Sequence, residues 1–76
     1  EGLFITNVVE NSTADLKGIR EGDVLLSLDG ISIIGENSLR AFLAARSVGD
    51  ECTALIYRLD TDKQLKVTLT IEETEP

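Results

Sequence analysis

Between Gly18 and Gly30 the chain reads Gly-Ile-Arg-Glu-Gly-Asp-Val-Leu-Leu-Ser-Leu-Asp-Gly, and this run limits the fold more than any other stretch. Gly18 is suited to the left-handed conformation that ends a helix. Glu21-Gly22-Asp23 has turn chemistry. Val24 to Leu28 is an apolar run of strand length, and Asp29-Gly30 is a dipeptide of tight hairpin turns. A helix stop, a turn, a buried strand and a second turn in quick succession demand a small fold of short elements. Nothing in the run pairs a nucleophile with a base. It reads as scaffold around a groove, and so as part of a binding module rather than an enzyme.

The flanking sequence supplies the other elements. Leu3 to Val9 is β-rich, with only Thr6 and Asn7 polar, and predicts a strand buried on most sides. Asn11-Ser12-Thr13 offers helix caps, and Ala14-Asp15-Leu16-Lys17 makes about one turn before Gly18. Ile19 is expected to pack back on the core. Ile31-Ser32-Ile33 is a short alternating strand, and Ile34-Gly35-Glu36 a loop. Asn37 and Ser38 are candidate caps for a helix over Leu39–Arg46, rich in alanine, leucine and arginine. Val48-Gly49-Asp50 ends that helix. Cys52–Tyr57 is the next strand, and Asp60-Thr61-Asp62-Lys63 a polar turn. Leu65, Val67, Leu69 and Ile71 then alternate strictly, as in a strand with one wet face.

The order is β-α-β-β-α-β-β, an α+β fold that is mostly β. The natural packing is a small, partly open barrel of about five strands capped by one short and one longer helix. Residues 1–71 form the domain and residues 72–76 an acidic tail or linker. The chain reads as a piece of a longer protein.

Composition narrows the function classes. Fourteen acidic against seven basic residues give a net charge of −7. Nucleic acid, which needs a basic patch to displace counterions, is excluded as a partner. So is an anionic membrane surface, and no apolar run approaches the ~20 residues of a membrane span. The chain has no histidine, which removes Ser-His-Asp and Cys-His catalysis and the commonest metal ligand. Its one cysteine, Cys52, is expected to be a buried small hydrophobe. Asp23 and Asp29 flank a strand but sit in turns, where aspartate caps backbone donors. Asp60 and Asp62 have too few companions for a calcium loop. No cofactor is implied. Asn11-Ser12-Thr13 matches a glycosylation acceptor, but a helix cap explains it better.

In this order, the pieces Gly2–Val8, Asn11–Ala14, Gly18–Leu25 and Asp29-Gly30, followed by Ser38–Leu43 and Val48–Asp50, resemble a PDZ domain. The resemblance is to the bacterial kind found in HtrA-type serine proteases, C-terminal processing proteases and site-2 proteases. It covers roughly residues 2–71. Its most specific element is Gly18-Ile19-Arg20-Glu21-Gly22-Asp23-Val24-Leu25 followed by Asp29-Gly30. The resemblance implies a non-catalytic module that binds peptides or protein C-termini by β-augmentation, or docks on the protease domain of the same chain. It favours a periplasmic or secreted parent. A degenerate PDZ serving only as a scaffold or spacer is the alternative.

The resemblance also places candidate site residues. Ser38, Phe42 and Ala45 should line the groove, on one stripe of the longer helix, with Leu39 and Leu43 facing the core. Arg40 and Arg46 suit either steering of a peptide carboxylate or solvated charge. Phe42 suits core filling as well as a groove wall, and Ser38 a helix cap as well as a ligand contact. In the family, the carboxylate-holding loop and the groove strand precede the segment that corresponds to Gly2. Only Glu1 precedes it here, so the groove strand is expected to lie outside this chain.

Overall fold

The computed structural model describes residues 2–72. Of the expected tail over residues 72–76, residues 73–76 lie outside the described residues. Five strands and two short helices follow one another: β1 (Leu3–Phe4), α1 (Thr13–Leu16), β2 (Asp23–Leu28), β3 (Ile31–Ser32), α2 (Glu36–Ala44), β4 (Glu51–Arg58) and β5 (Lys63–Thr70). All pairings are antiparallel, in the order β1-β2-β4-β5, with β3 pairing β2 off that path. The predicted α+β, mostly β architecture is what the chain adopts. The sheet curls around the core without closing into a barrel.

The opening run behaves as its residues dictate. Ser12 caps α1 by accepting from Asp15 N at 3.2 Å, and the Asp15 carboxylate accepts from Asn11 N at 2.8 Å. Gly18 ends the helix at φ 91°, and Ile19 turns back into the core. Gly22 takes φ 95° in the next turn. Asp29 and Gly30 take φ 50° and 82°, the paired left-handed conformations of a type I′ hairpin turn between β2 and β3.

β2 departs from simple alternation, because a bulge at Leu26 shifts its register on β4 between Leu25 and Ser27. The extra residue lets Leu25 and Leu28, three apart, both face inward. There they oppose Ile56 and Ala54 of β4. These four join Ile19, Ile33, Phe42 and Cys52 in the buried core. Leu65, Val67, Leu69 and Ile71 pack half-buried against it, as their alternation predicts.

Two expected elements come out differently. The strand expected over Leu3–Val9 and buried on most sides shrinks to Leu3–Phe4, and Phe4 and Val9 are largely exposed. Its partner is the reason. Ile5 still bonds Asp23 O and Gly22 N, but beyond Gly22 the β2 strand has run out into its turn. Helix α2 begins at Glu36 with Gly35 as N-cap, so Asn37 and Ser38 lie inside its first turn instead of capping it. Glycine is an acceptable N-cap, and Glu36 suits the positive end of the helix dipole. The helix ends at Ala44, short of Arg46.

Candidate functional site

Helix α2 is the element that organises the concave surfaces. Residues 39 and 43 share one stripe, and 38, 42 and 45 share a neighbouring stripe rotated around the axis. The second stripe meets β3. There Ser38, Phe42, Ala45 and Arg46, all four predicted site residues, come together with Ile31, Ser32 and Ala41 around a shallow furrow of about 370 Å³. Ser38 and Arg46 are half-buried and Ala45 is exposed. The Phe42 ring forms the floor and is only 5% exposed, so it fills core.

Arg46 is already occupied. Its guanidinium lies 4.1 Å from the centre of the Phe42 ring, and Nη2 is 3.5 Å from Asp29 Oδ2. Arg40 is exposed and pairs with Glu36 one turn earlier, an arrangement of little energetic weight.

The first stripe was expected in the core and is not enclosed there. Leu39 packs partly against the core, but Leu43 remains 37% exposed. Both line an open, mainly apolar concavity of about 580 Å³. Its floor is Leu25, Leu28 and Cys52, and its far wall is Leu69 and Ile71 at the end of β5. Val9 and the α1 N-terminus close one end. Leu43 is exposed because no described element covers this side of the core. Helical spacing alone marks Leu39 and Leu43 as core leucines, so the sequence carried no signal of this exposure.

A second feature had no local signal. Asp23, 3% exposed, receives Arg58 Nε on Oδ1 at 3.0 Å and Arg58 Nη2 on Oδ2 at 2.8 Å. Arg20 N donates to Asp23 Oδ2, and Arg58 Nη2 also reaches Gly18 O at 2.8 Å. The Arg58 hydrogen bonds hold the Asp23 carboxyl below its ordinary value despite its burial. This pair ties the glycine turn to the end of β4. Asp29 Oδ1 accepts from Thr53 N at 2.8 Å, so Asp23 at the start of β2 and Asp29 just past its end each serve a backbone donor.

The remaining candidates are structural. Tyr57 donates its hydroxyl hydrogen to Asp62, which raises the phenol pKa and closes the polar β4–β5 turn. Burial pushes the Cys52 thiol up, away from the reactive thiolate. Among the described residues no three His, Cys, Asp or Glu side chains converge as a metal site requires, and no helix is long and apolar enough to cross a membrane.

Comparison with known proteins places this geometry. A sequence family described as PDZ domain matches residues 1–69. Periplasmic serine endoprotease DegP of Escherichia coli K12 is 36% identical over 73 residues, covering 96% of this chain and 15% of that protein. Serine protease Do-like HtrA of Lactobacillus helveticus is 34% identical over 68 residues, covering 90% of this chain and 16% of that protein. The chain thus spans about 15% of the length of these curated relatives. Among solved structures, the PDZ domain of the SdrC-like protein from Listeria monocytogenes superposes with a TM-score of 0.86 at 16% identity, covering 97% of this chain and 75% of that one. An HtrA-type protease, AlgW with decapeptide, gives 0.83 at 21% identity, covering 99% of this chain and 22% of that one.

Proposed function

The chain belongs to the PDZ domain family, and on that premise we propose that it is the peptide-binding or regulatory module of a larger envelope protease. PDZ domains are non-catalytic modules that take an extended peptide as an added strand and seat its side chains in apolar pockets. The observation that carries the reading is the open concavity walled by Leu39 and Leu43 of α2. Its lining is mainly apolar and supplies few polar partners, as an apolar anchor side chain requires. A strand and a carboxylate-holding loop from residues ahead of Glu1 complete the groove in this reading. Ser38, Phe42, Ala45 and Arg46 line the separate furrow on the β3 side of the helix.

The test is a titration of isotope-labelled protein, extended by the residues that precede Glu1 in its parent, with eight-residue peptides ending in Val or Leu. Saturable amide and methyl shifts at Leu39, Leu43, Leu69 and Ile71 are expected. No shift with any apolar-ended peptide would leave the scaffold reading in its place.

Docking on a protease domain of the same chain is a second reading. It is favoured by the outer sheet face, where Phe4 and Leu59 stand 53% and 54% exposed beside Val24, Leu26 and Tyr57. A full-length parent in which Phe4 and Leu59 stay fully solvated would remove it.

A further inference from the structure

Helix α2 is open along one stripe and held along the next. Its Leu39–Leu43 side faces the concavity, while strand-on-strand packing dominates the tertiary contacts of the fold. Two linked attachments hold the adjoining stripe and the chain just past the end of the helix. The Phe42 ring is sunk in the core. Arg46, four residues on, lays its guanidinium over that ring at 4.1 Å and brings Nη2 to 3.5 Å from Asp29 Oδ2.

Asp29 is itself fixed in place. It sits at φ 50° in the β2–β3 turn, accepts from Thr53 N at 2.8 Å through Oδ1, and donates its own N–H to Thr53 O at 2.8 Å. One carboxylate oxygen thus staples the turn to β4, and the other reaches across to the helix. The two charged side chains are 29% and 36% exposed, so water screens the pair less than it screens the exposed Arg40–Glu36 pair on the same helix.

We propose that Arg46 is a positioning residue: clamped between the Asp29 carboxylate and the Phe42 ring, it sets where α2 sits and so how far the Leu39–Leu43 wall stands open to a peptide. The inference rests on the peptide-binding reading above. It gives Arg46 a role through the helix instead of through direct contact with a peptide carboxylate. A ligand bound in the concavity bears on the Leu39–Leu43 stripe, and the clamp beside it holds the helix in place against that load. Loosening it leaves the bound position of the helix less populated before the peptide arrives, which lowers apparent affinity in proportion.

Asp29→Asn keeps a residue that tolerates the left-handed conformation, keeps an oxygen for Thr53 N, and removes the charge facing Arg46. Arg46→Met keeps an apolar stem over Phe42 and removes the cation. In ligand-free protein, amide exchange over Leu39–Ala44 should accelerate about five- to tenfold in each variant, with β4 and β5 amides unchanged. Combining the two should add little to either alone, because both break one linkage. Arg46→Lys, which keeps the charge but not the planar stack, should fall between. The Val-ended probe peptide should bind about five- to tenfold more weakly to both single variants.

Unchanged exchange in both variants overturns the clamp whether or not peptides bind. Acceleration spread equally over β4 and β5 also overturns it, since that reports general destabilisation. Local acceleration in a protein that binds no peptide in any form supports the clamp and removes only the peptide reading.

Discussion

Arg58→Ala should cost about 3–5 kcal/mol of folding stability, because it strands the buried Asp23 carboxylate with only the Arg20 N–H as partner. A domain of this size is stable by only roughly 4–11 kcal/mol, so the variant should sit at the edge of unfolding at 25 °C. Arg58→Lys should lose less, since it keeps the charge, but it cannot meet both Asp23 oxygens and Gly18 O at once. Urea unfolding measures both. A loss under 1 kcal/mol for Arg58→Ala would show that the pair does not hold the glycine turn to β4.

The same pair fixes a pH dependence. Hydrogen bonds from Arg58 hold the folded Asp23 carboxyl below the ordinary aspartate value, so the unfolded chain takes up its proton first as pH falls. Stability from the pair is therefore fully present above the ordinary value and is lost as pH drops through it towards the depressed one. The acid limb of the stability profile should flatten in Arg58→Ala.

Phe42→Ala carries the second large effect, about 3–5 kcal/mol, as expected when a nearly fully buried aromatic ring is removed from a small core. The ring also supports the Arg46 guanidinium, so the cavity beneath the helix should not collapse easily. Thermal unfolding should show a large drop in midpoint, or no folded protein at all. A Phe42→Ala variant as stable as the parent would mean that the ring is a free groove wall and not part of the core. Phe42→Leu should recover much of the loss by refilling most of the volume.

What could be read ahead of the structure was local. Gly18, Gly22 and the Asp29–Gly30 pair dictate left-handed turns whatever surrounds them, and they take those conformations. The alternation from Leu65 to Ile71 carries its own face assignment. The family followed from these turns in order. The misread features are those that a partner decides. The first strand stops at Phe4 because β2 turns away, not because residues 5–9 resist extension. The run Val24–Leu28 is apolar except for Ser27, so its periodicity could not reveal the bulge at Leu26. Asp23 and Arg58 lie 35 residues apart and meet only through the β2–β4 register. Leu39 and Leu43 look like core leucines on any helical wheel, and only the sheet's geometry shows that nothing described lies over them.

The claim that most needs testing is that the Leu39–Leu43 face of α2 is the ligand wall. Fluorescence anisotropy of a labelled Val-ended peptide, with the parent sequence ahead of Glu1 included, compares the unmodified protein with Leu43→Asp. Leu43 is 37% exposed, so its replacement should leave the fold intact while placing a charge in the apolar wall. Affinity should fall at least about tenfold, the scale of one lost apolar anchor contact. Equal affinity in the two proteins, with the fold unchanged, would contradict the account.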